Sequence, residues 1–523
     1  MMRAKRWLFL LHRWLGVLLC AFFAMWFVSG VVMMYVGYPK LTEAERLLHL
    51  PVLDAASMGL TPAQALEKAG IRGDLQDLRL AVASGGRAVY LAVPAREPKQ
   101  GVSRRSPPPG SGTVVIDAAT GAVLREVGVP DALATATAYG GAAAVPRHDG
   151  VIQEDAFTHS RGLDAHRPLH VVQLRDAANT RLYVSGRTGE VVRDANRSER
   201  LWNYAGAWIH WLYPFRGNAF NAWWADIVNW LSVLGIAVTV IGTVVGILRW
   251  RFTRTYKSGS HTPYKGFMMR WHHITGLLFA LITFTWIFSG LMSMNPWRIF
   301  DNGAPALRMQ AMNGGPLQMT GPLATPQALL TAAGPGTREL RWTVSDGKTR
   351  VLASAAAGRP FVLDAGTAAF HVPDPAALRA AAARLLPDTV VRVEVLTDYD
   401  MYYYSRDAHT MTGGSDKPLP VWRVVFGDTH ATWVHIDPAT GAVLGRTDST
   451  RRLNRWLFAM LHSWDWLPLL ERRPLWDVLL ILLSLGGTAL SLTGVVIGWR
   501  RLGLKLGSLQ AGSHSGSKPV YRF

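Results

Sequence analysis

Four histidines stand in two pairs whose surroundings are repeated along the chain. His272 follows His12 by 260 residues, and His462 follows His210 by 252 residues. We name His12 and His272 the inner pair, and His210 and His462 the outer pair. Imidazole nitrogen is a common axial ligand of haem iron. Two duplicated pairs therefore predict two bis-histidine haem sites, in which each pair holds one iron.

The neighbours of the inner pair are repeated at the same spacing. In a helix with about 100° per residue, Gly16 and Trp26 lie about 40° to either side of His12. Such a face offers an imidazole for the iron, a position without a side chain and an aromatic wall, which suits a flat porphyrin. The predicted cofactor-binding residues are His12, His272, His210, His462, Gly16, Gly276, Trp26 and Trp286.

Composition restricts the alternatives. Cys20 is the only cysteine, which excludes disulfides, cysteine zinc sites, iron–sulfur clusters and covalently attached c-type haem. The predicted cofactor is therefore haem b, two per chain, with the four histidines as axial iron ligands. The chain has no nucleophile elbow, HExxH, Walker loop or dinucleotide fingerprint, so no catalytic residue is identified. One such histidine alone would be interpreted as an interfacial residue beside an aromatic belt; the duplication favours haem ligation.

Four apolar stretches of about bilayer length accompany these histidines, at 13–36, 224–248, 271–294 and 475–499. The net charge is +19, and basic residues cluster in three stretches without acidic residues: the N-terminus, the linker after the second stretch and the tail. This pattern places positive charge on the cytoplasmic side of a membrane. Both termini are therefore predicted to be cytoplasmic, and nucleic acid is not a predicted partner.

The predicted fold class is an integral membrane, α-helical protein, with four transmembrane helices from an internal duplication and two periplasmic α+β domains. The predicted parts, in chain order, are the cytoplasmic N-terminus and first helix (1–36), the first outer domain (37–222), the second helix (223–249), a basic linker (250–270), the third helix (271–294), the second outer domain (295–473), the fourth helix (474–500) and a cytoplasmic tail (501–523).

Short repeats inside the two outer segments predict small α+β modules. Thr61-Pro62 and Thr325-Pro326 each supply an N-cap and a first-turn proline, and a glycine stop follows, so both predict a short helix. Four hairpins with intervening helices suggest two modules in each segment. The strand–turn–strand patterns lie at 114–124, 183–192, 361–370 and 434–444. Residues 99–112, rich in Pro, Ser and Arg, are predicted to be a flexible insert.

Two further groups have a functional and a structural interpretation. His159, His166 and His170 could form a metal cluster, but the strand pattern after His170 would spread the rings apart, so structural roles are favoured. The segment 399–404 contains four tyrosines that could stack on an aromatic ligand. Its high β-propensity favours a strand instead.

Three other titratable residues are weighed against simpler interpretations. His273 competes with His272 as a ligand, and the duplication favours His272 because His273 aligns with Arg13. Asp226 and Asp477 stand at the outer ends of their spans and could relay protons or contact a quinol. Carboxylates stabilised by a helix N-terminus are the favoured interpretation.

Five segments carry a resemblance to a known family: Leu11–Gly16 (LHRWLG), His166–His170 (HRPLH), Trp271–Gly276 (WHHITG), Asp437–Gly441 (DPATG) and Leu461–Ser463 (LHS). The chain resembles the PepSY-associated transmembrane family of bacterial iron-regulated inner-membrane proteins, which includes ferrisiderophore reductases. The resemblance spans nearly the whole chain. It implies a four-span haem protein whose PepSY-like modules face the periplasm and which passes electrons to periplasmic ferric iron.

Three functional hypotheses result. The first is an inner-membrane dihaem oxidoreductase with a quinol or cytoplasmic reductant as donor and a ferric siderophore or other ferric chelate as acceptor. The second is a non-catalytic membrane anchor whose PepSY-like modules bind or restrain periplasmic proteins such as peptidases. The third is an accessory component of siderophore or metal uptake, but spans without central charges offer no obvious pathway. The visible spectrum separates the first hypothesis from the second.

Overall fold

The chain folds into two units. The structure is a computed structural model that describes residues 2–95, 112–141, 144–217, 219–410, 413–414 and 416–514, without the side chains of 2 and 504–514. Most of the insert predicted at 99–112 and the last residues of the predicted tail lie outside this description. The helical unit contains Met1–Tyr35, Tyr204–Asn302 and Thr450–Phe523, and the sheet unit contains Val36–Asn203 and Gly303–Ser449.

The α-helices in chain order are α1 (Met2–Met33), α2 (Glu43–His49), α3 (Pro62–Lys68), α4 (Val129–Gly140), α5 (Arg197–Asn203), α6 (Trp224–Arg249), α7 (Phe267–Leu278), α8 (Ala280–Ser293), α9 (Met309–Asn313), α10 (Pro326–Ala333), α11 (Pro375–Ala382), α12 (Ser449–Arg455), α13 (Leu467–Leu470) and α14 (Leu475–His514). The predicted short helices are α3 and α10. Their N-caps are Thr61 and Thr325, whose side chains accept hydrogen bonds from the backbone of the first turn.

Three of the four predicted spans are continuous apolar helices. Within the described residues, the helices over Arg3–Met33, Asn221–Arg249 and Leu475–Gly503 are long and apolar enough to cross a membrane. The predicted third span is instead split into α7 and α8, which are bent by 66°. Counted as one span, this bent pair brings the number to four.

The break between α7 and α8 occurs at Phe279 without a proline or glycine. A Cβ added at Gly486 on α14 would lie 2.1 Å from the Phe279 ring, so the ring occupies that space. The residue that corresponds to Gly486 in the other half is Leu234, which would fill it. The residue that corresponds to Phe279 is Leu19, so the contact of an aromatic ring with a glycine occurs in only one half of the chain.

The sheet unit contains sixteen strands in its described residues, namely β1 (Leu75–Ala83), β2 (Arg87–Pro94), β3 (Val114–Asp117), β4 (Val123–Leu124), β5 (Arg147–Ile152), β6 (Leu169–Gln173), β7 (Arg181–Ser185), β8 (Val191–Ala195), β9 (Thr337–Ser345), β10 (Lys348–Ala355), β11 (Phe361–Asp364), β12 (Phe370–His371), β13 (Val390–Leu396), β14 (Val421–Phe426), β15 (Trp433–Ile436) and β16 (Val443–Thr447). All four predicted hairpins are formed, as β3–β4, β7–β8, β11–β12 and β15–β16. Each segment contains two runs of four antiparallel strands, and each run includes one of the predicted hairpins.

The two outer segments are joined through a shared sheet. β1 of the first segment pairs with β9 of the second, with Leu78 opposite Trp342 and Leu80 opposite Leu340. The resulting eight-stranded sheet has the order β12-β11-β10-β9-β1-β2-β3-β4, and β5–β8 and β13–β16 form two separate four-stranded sheets. This arrangement differs from two domains that each have a separate core. The reason is that the edge strands β1 and β9 satisfy each other's backbone groups.

A buried ion cluster connects the shared sheet to the second module of the first segment. Arg79 Nη1 lies 3.1 Å from Glu190 and 3.2 Å from Glu339, and Arg46 Nη2 lies 2.7 Å from Glu339. Burial alone raises the pKa of the Glu190 carboxyl, but the guanidinium groups of Arg79 and Arg46 outweigh this effect and hold the pKa at about 2. Glu190 is therefore ionised at neutral pH, and its charge depends on these arginines.

The strand prediction for the tyrosine-rich segment 399–404 is wrong. The segment is irregular, and the Asp400 carboxylate accepts hydrogen bonds from the backbone N–H groups of Tyr402 and Tyr403 at 2.9 and 2.8 Å. Such a local side-chain acceptor competes with a strand ladder for the backbone donors. β-propensity was therefore overridden by a turn that a single aspartate stabilises.

Candidate functional site

The inner pair lies in the helical unit. His12 on α1 and His272 on α7 have ring centres 6.2 Å apart, with ring planes at 33°. A Cβ added to Gly242 on α6 would lie 2.5 Å from His12 Cε1, and one added to Gly494 on α14 would lie 3.5 Å from His272 Cε1. Both glycines open a Gly-x-x-x-Gly pattern, which usually indicates close helix packing. Here the first glycine of each pattern makes room for a histidine.

Backbone groups orient the inner imidazoles. His272 Nδ1 lies 3.3 Å from the Leu490 carbonyl oxygen and 3.2 Å from Thr493 Oγ1. An N–H at Nδ1 donates to the carbonyl, which leaves the lone pair on Nε2. The Val238 carbonyl, 252 residues before Leu490, is the backbone group that interacts with His12. His12 Nδ1 is buried without a hydrogen bond of good geometry. The hydrogen-bonding capacity of His12 is therefore less completely used than that of His272.

The outer pair repeats the spacing of the inner pair. The ring centres of His210 and His462 are 6.2 Å apart, and the ring planes are at 76°. A Cβ added at Gly30 on α1 would lie 3.7 Å from His210 Cε1, and one at Gly290 on α8 would lie 3.7 Å from His462 Cε1. The two halves of the chain therefore present their outer histidines to equivalent glycines.

Two serines determine the tautomer of the outer histidines. Ser29 Oγ donates to the Met25 carbonyl at 2.7 Å and lies 2.9 Å from His210 Nδ1. Because the serine proton is already used, Nδ1 carries the hydrogen and donates to the serine oxygen. Ser289 Oγ lies 3.0 Å from His462 Nδ1 in the same arrangement. In both rings Nε2 is left with its lone pair, as a metal ligand requires.

A short π-helical segment precedes each outer histidine, with a non-helical residue, Gly206, inside the first, and sequence reasoning missed both segments. The turns cover Tyr204–Trp208 and Trp456–Met460 and end two residues before His210 and His462. Single π turns inside helices occur frequently at functional sites. The equal offset of the two segments was the only available signal, because neither segment has a distinctive composition.

The inner pair lines a cavity of about 680 Å³. This volume falls within the range of about 300–1,000 Å³ that is typical of small-molecule and cofactor sites. Gly16 and Gly276 also line it, and a Cβ added to Gly16 would meet no atom within 4 Å. The remaining walls are largely apolar and include Val17, Leu19, Phe23, Val238, Val245 and Leu277.

The two tryptophans predicted to bind the cofactor lie near the outer pair. Trp26 Nε1 donates to the His210 carbonyl at 2.9 Å, and the Trp286 carbonyl lies 3.2 Å from His462 Nδ1. The residues that were predicted to form one haem-binding face therefore lie near two different histidine pairs. Gly16 and Gly276 stand beside the inner histidines, and both tryptophans support the outer ones.

The spacing of both pairs fits a bis-histidine haem. Two imidazoles that ligate one ion from opposite sides, with bonds of about 2 Å, have ring centres about 6 Å apart. No cluster of three or more His, Cys, Asp or Glu residues suited to a bare metal ion occurs in the described residues. Paired imidazoles suit a metal whose other ligands come from a macrocycle. The donor set, the glycine positions and the inner cavity are all compatible with haem.

The competing ligand His273 is engaged elsewhere. Its Nδ1 lies 2.6 Å from Thr262 Oγ1, and its Nε2 lies 2.9 Å from the Gly246 carbonyl oxygen. With both ring nitrogens hydrogen-bonded, His273 has no lone pair directed at the cavity. His272 therefore stays the predicted ligand of the inner pair.

The histidines at 159, 166 and 170 have separate partners. His170 Nδ1 lies 3.2 Å from His148 Nε2, and its Nε2 lies 2.9 Å from the Val127 carbonyl, whereas His166 Nδ1 lies 3.2 Å from Ser185 Oγ. Burial lowers the pKa of both His166 and His170. The structural roles that the sequence favours for these histidines stay a prediction.

The two aspartates at the outer ends of the spans lie in first helical turns. Asp226 belongs to the first turn of α6 and Asp477 to that of α14. The Asp477 carboxylate lies 2.5 Å from Arg473 Nη2 and accepts a hydrogen bond from the Tyr35 hydroxyl at 3.0 Å. Asp477 therefore ties the end of α1 to the start of α14.

Comparison with known proteins places these features in a family context. A family model described as the PepSY-associated TM region matches residues 9–501, which include all four histidines. No match was found among curated proteins.

Proposed function

The chain belongs to the PepSY-associated transmembrane family, and on that premise we propose that it is an inner-membrane dihaem protein that reduces ferric chelates in the periplasm. The observation that carries the proposal is the equal spacing of two histidine pairs, with ring centres 6.2 Å apart in each. If the histidines only packed against each other, the two pairs would not need the same spacing. If each pair binds the same group, a haem, both pairs need the same distance between their rings.

Each pair has a defined role in the proposal. His12 and His272 hold the inner haem, and His210 and His462 hold the outer one. Haem with two histidine ligands exchanges single electrons, and its potential depends on the hydrogen bonds to those ligands. Ser29 and Ser289 support this chemistry because they hold the outer imidazoles in one tautomer.

The position of the pairs supports transfer across a membrane. His12 and Gly30, the latter in contact with His210, are 18 residues apart on α1, or about 27 Å along the helix. In the proposal, α7 and α8 together form the third span, the basic ends of the helices are cytoplasmic, and the sheet unit is periplasmic. Electrons enter from a quinol or a cytoplasmic reductant at the inner pair and leave at the outer pair.

Ferric chelates are the acceptor that the proposal favours. The family resemblance implies iron reduction, and the outer segments carry nearly balanced charge because the excess positive charge lies in the three basic stretches. A surface of balanced charge admits neutral or anionic chelates without trapping them. The sequence contains neither a nucleophile elbow nor an HExxH motif that would favour a hydrolytic role instead.

The visible spectrum and haem content of the detergent-purified chain test this proposal. We expect about two b-type haems per chain with the absorption of bis-histidine haem. The matched control is His273→Gln, which removes a buried neighbouring histidine and should leave both haems in place. A folded protein without haem would sink the redox proposal and leave the non-catalytic anchor as the better hypothesis.

A further inference from the structure

One end of the inner cavity is basic. Arg13, Arg500 and Arg501 line it together with Phe9. The guanidinium carbon of Arg249 lies 4.7 Å from the centre of the Phe9 ring. Arginines from α1 and α14 therefore line one part of a mostly apolar cavity, and Arg249 from α6 packs on the Phe9 ring in the same part of the wall.

Two of these arginines occupy equivalent places in the two halves. Arg249 follows Gly242 by seven residues, and Arg501 follows Gly494 by seven. Seven residues correspond to about two helical turns, so each arginine lies on the helix face of its glycine, about 10 Å further along. Those glycines contact His12 and His272. Each half of the chain thus contributes one arginine, in register with one inner histidine.

The opposite end of the cavity is neutral. Thr283 is 1% exposed and its hydroxyl has no hydrogen-bond partner in the described residues. Phe23 and Leu19 line the cavity beside it. A carboxylate placed among such groups would lose its hydration without gaining a counter-charge, which is costly. An occupant with acidic groups at one edge can therefore enter in only one orientation.

A different explanation for basic residues at this end is the positive-inside bias alone. Arg251 illustrates that case. Its guanidinium lies 3.9 Å from the Tyr256 ring centre, and its Nη1 donates to the Thr255 carbonyl at 2.9 Å. Arg251 thus carries the same charge two residues from Arg249, but its guanidinium packs on Tyr256 and not on the cavity-lining Phe9, which makes it a matched control.

We propose that Arg249 and Arg501 bind the two propionate carboxylates of the inner haem, one from each half of the chain, and so fix its orientation. The inference rests on the proposed haem function and adds a specific contact to it. Arginine forms paired, charge-assisted hydrogen bonds with carboxylates. The 252-residue offset makes Arg249 and Arg501 equivalent residues of the two halves. The two propionate groups on one edge of the porphyrin are likewise equivalent to each other.

The test compares haem b with its propionate dimethyl ester, whose acids are blocked. The full chain carrying His210→Ala and His462→Ala retains only the inner site, and the rate of haem loss to an excess of a haem-scavenging apoprotein is measured. We expect Arg249→Gln or Arg501→Gln to speed haem loss about fivefold to tenfold. Loss of the ester should be unchanged by either substitution, and Arg251→Gln should alter neither rate.

The outcomes separate this inference from the haem proposal itself. Faster haem loss with unchanged ester loss supports the propionate contacts. Equal loss of haem and ester from the parent chain, or an equal effect of Arg249→Gln on both, would overturn the contacts and leave haem binding intact. A full chain that binds neither haem nor ester would overturn the haem proposal, and the contacts with it.

Discussion

Gly242→Ala should remove the inner haem and spare the outer one. The added Cβ would lie 2.5 Å from His12 Cε1 and 2.8 Å from its Nδ1, whereas carbon atoms in contact prefer about 3.5 Å or more. The imidazole must therefore move by about 1 Å. Ligand distances tolerate only about 0.2 Å. A shift several times larger than this tolerance should break the iron bond to His12.

Two matched substitutions on the same scaffold should be milder. A Cβ at Gly494 lies 3.5 Å from His272 Cε1, an ordinary contact, and 3.2 Å from Cys20 Cβ. A Cβ at Gly498 lies 3.5 Å from Val17 Cγ2 and has no histidine among its nearest contacts. We therefore expect haem retention in the order Gly498→Ala, Gly494→Ala, Gly242→Ala, from most to least.

The assay is the pyridine haemochrome count per chain, combined with the reduced-minus-oxidised spectrum. Gly242→Ala should fall from about two haems to about one, and the remaining haem should keep a bis-histidine spectrum. Thermal unfolding of the purified variant shows whether the fold is retained. Overpacking of this kind costs about 1–3 kcal/mol, so a modest loss of stability is expected.

One result would refute the reasoning about Gly242. If Gly242→Ala kept two haems with unchanged spectra, His12 would not be held against that glycine as an iron ligand. Loss of both haems from a folded variant would also contradict the assignment of separate inner and outer pairs.

Three further predictions concern the histidine pairs, the electron acceptor and the buried ion cluster around Glu190. His12→Ala should remove only the inner haem and His210→Ala only the outer one, as judged by haem count and redox titration; loss of the same haem in both variants would show that the pairing is wrong. Reduced protein in vesicles should be reoxidised by a ferric siderophore added to the periplasmic side, and His462→Ala should abolish this in stopped-flow absorbance; oxidation only by oxygen or a quinone would point to another acceptor. Because Arg79 and its neighbours hold the pKa of Glu190 at about 2 against 4.5 ordinarily, the ionised carboxylate stabilises the fold by about 3 kcal/mol above about pH 5, and this is lost as pH falls towards 2. Glu190→Gln should flatten that acid dependence in chemical unfolding, and an unchanged pH profile would contradict it.

Local signals explain which parts of the fold could be predicted. A hairpin such as β3–β4 depends on residues that are neighbours in the chain, and Asp117 accepts hydrogen bonds from the next residues of its own turn. The same holds for the helix that Thr61 caps. Three apolar spans were equally readable, because bilayer length and apolar composition are properties of one segment.

Features that depend on distant partners could not be predicted. The break at Phe279 requires space at Gly486 on another helix. The pairing of β1 with β9 joins segments from different halves of the chain. The irregular turn at Asp400 was missed for a local reason instead. One hydrogen-bond acceptor in the turn outweighed the β-propensity of the neighbouring residues.

The histidine pairs could be identified from the sequence, because a duplication marks equivalent positions whatever their distance in space. Their surroundings became known from the packing of the helices. This packing assigned Trp26 and Trp286 to the outer pair, placed Gly242 and Gly494 against the inner rings, and engaged both nitrogens of His273 elsewhere. The physical reason is that helical phase fixes which residues share a face, whereas the neighbours that meet that face depend on how separate helices pack.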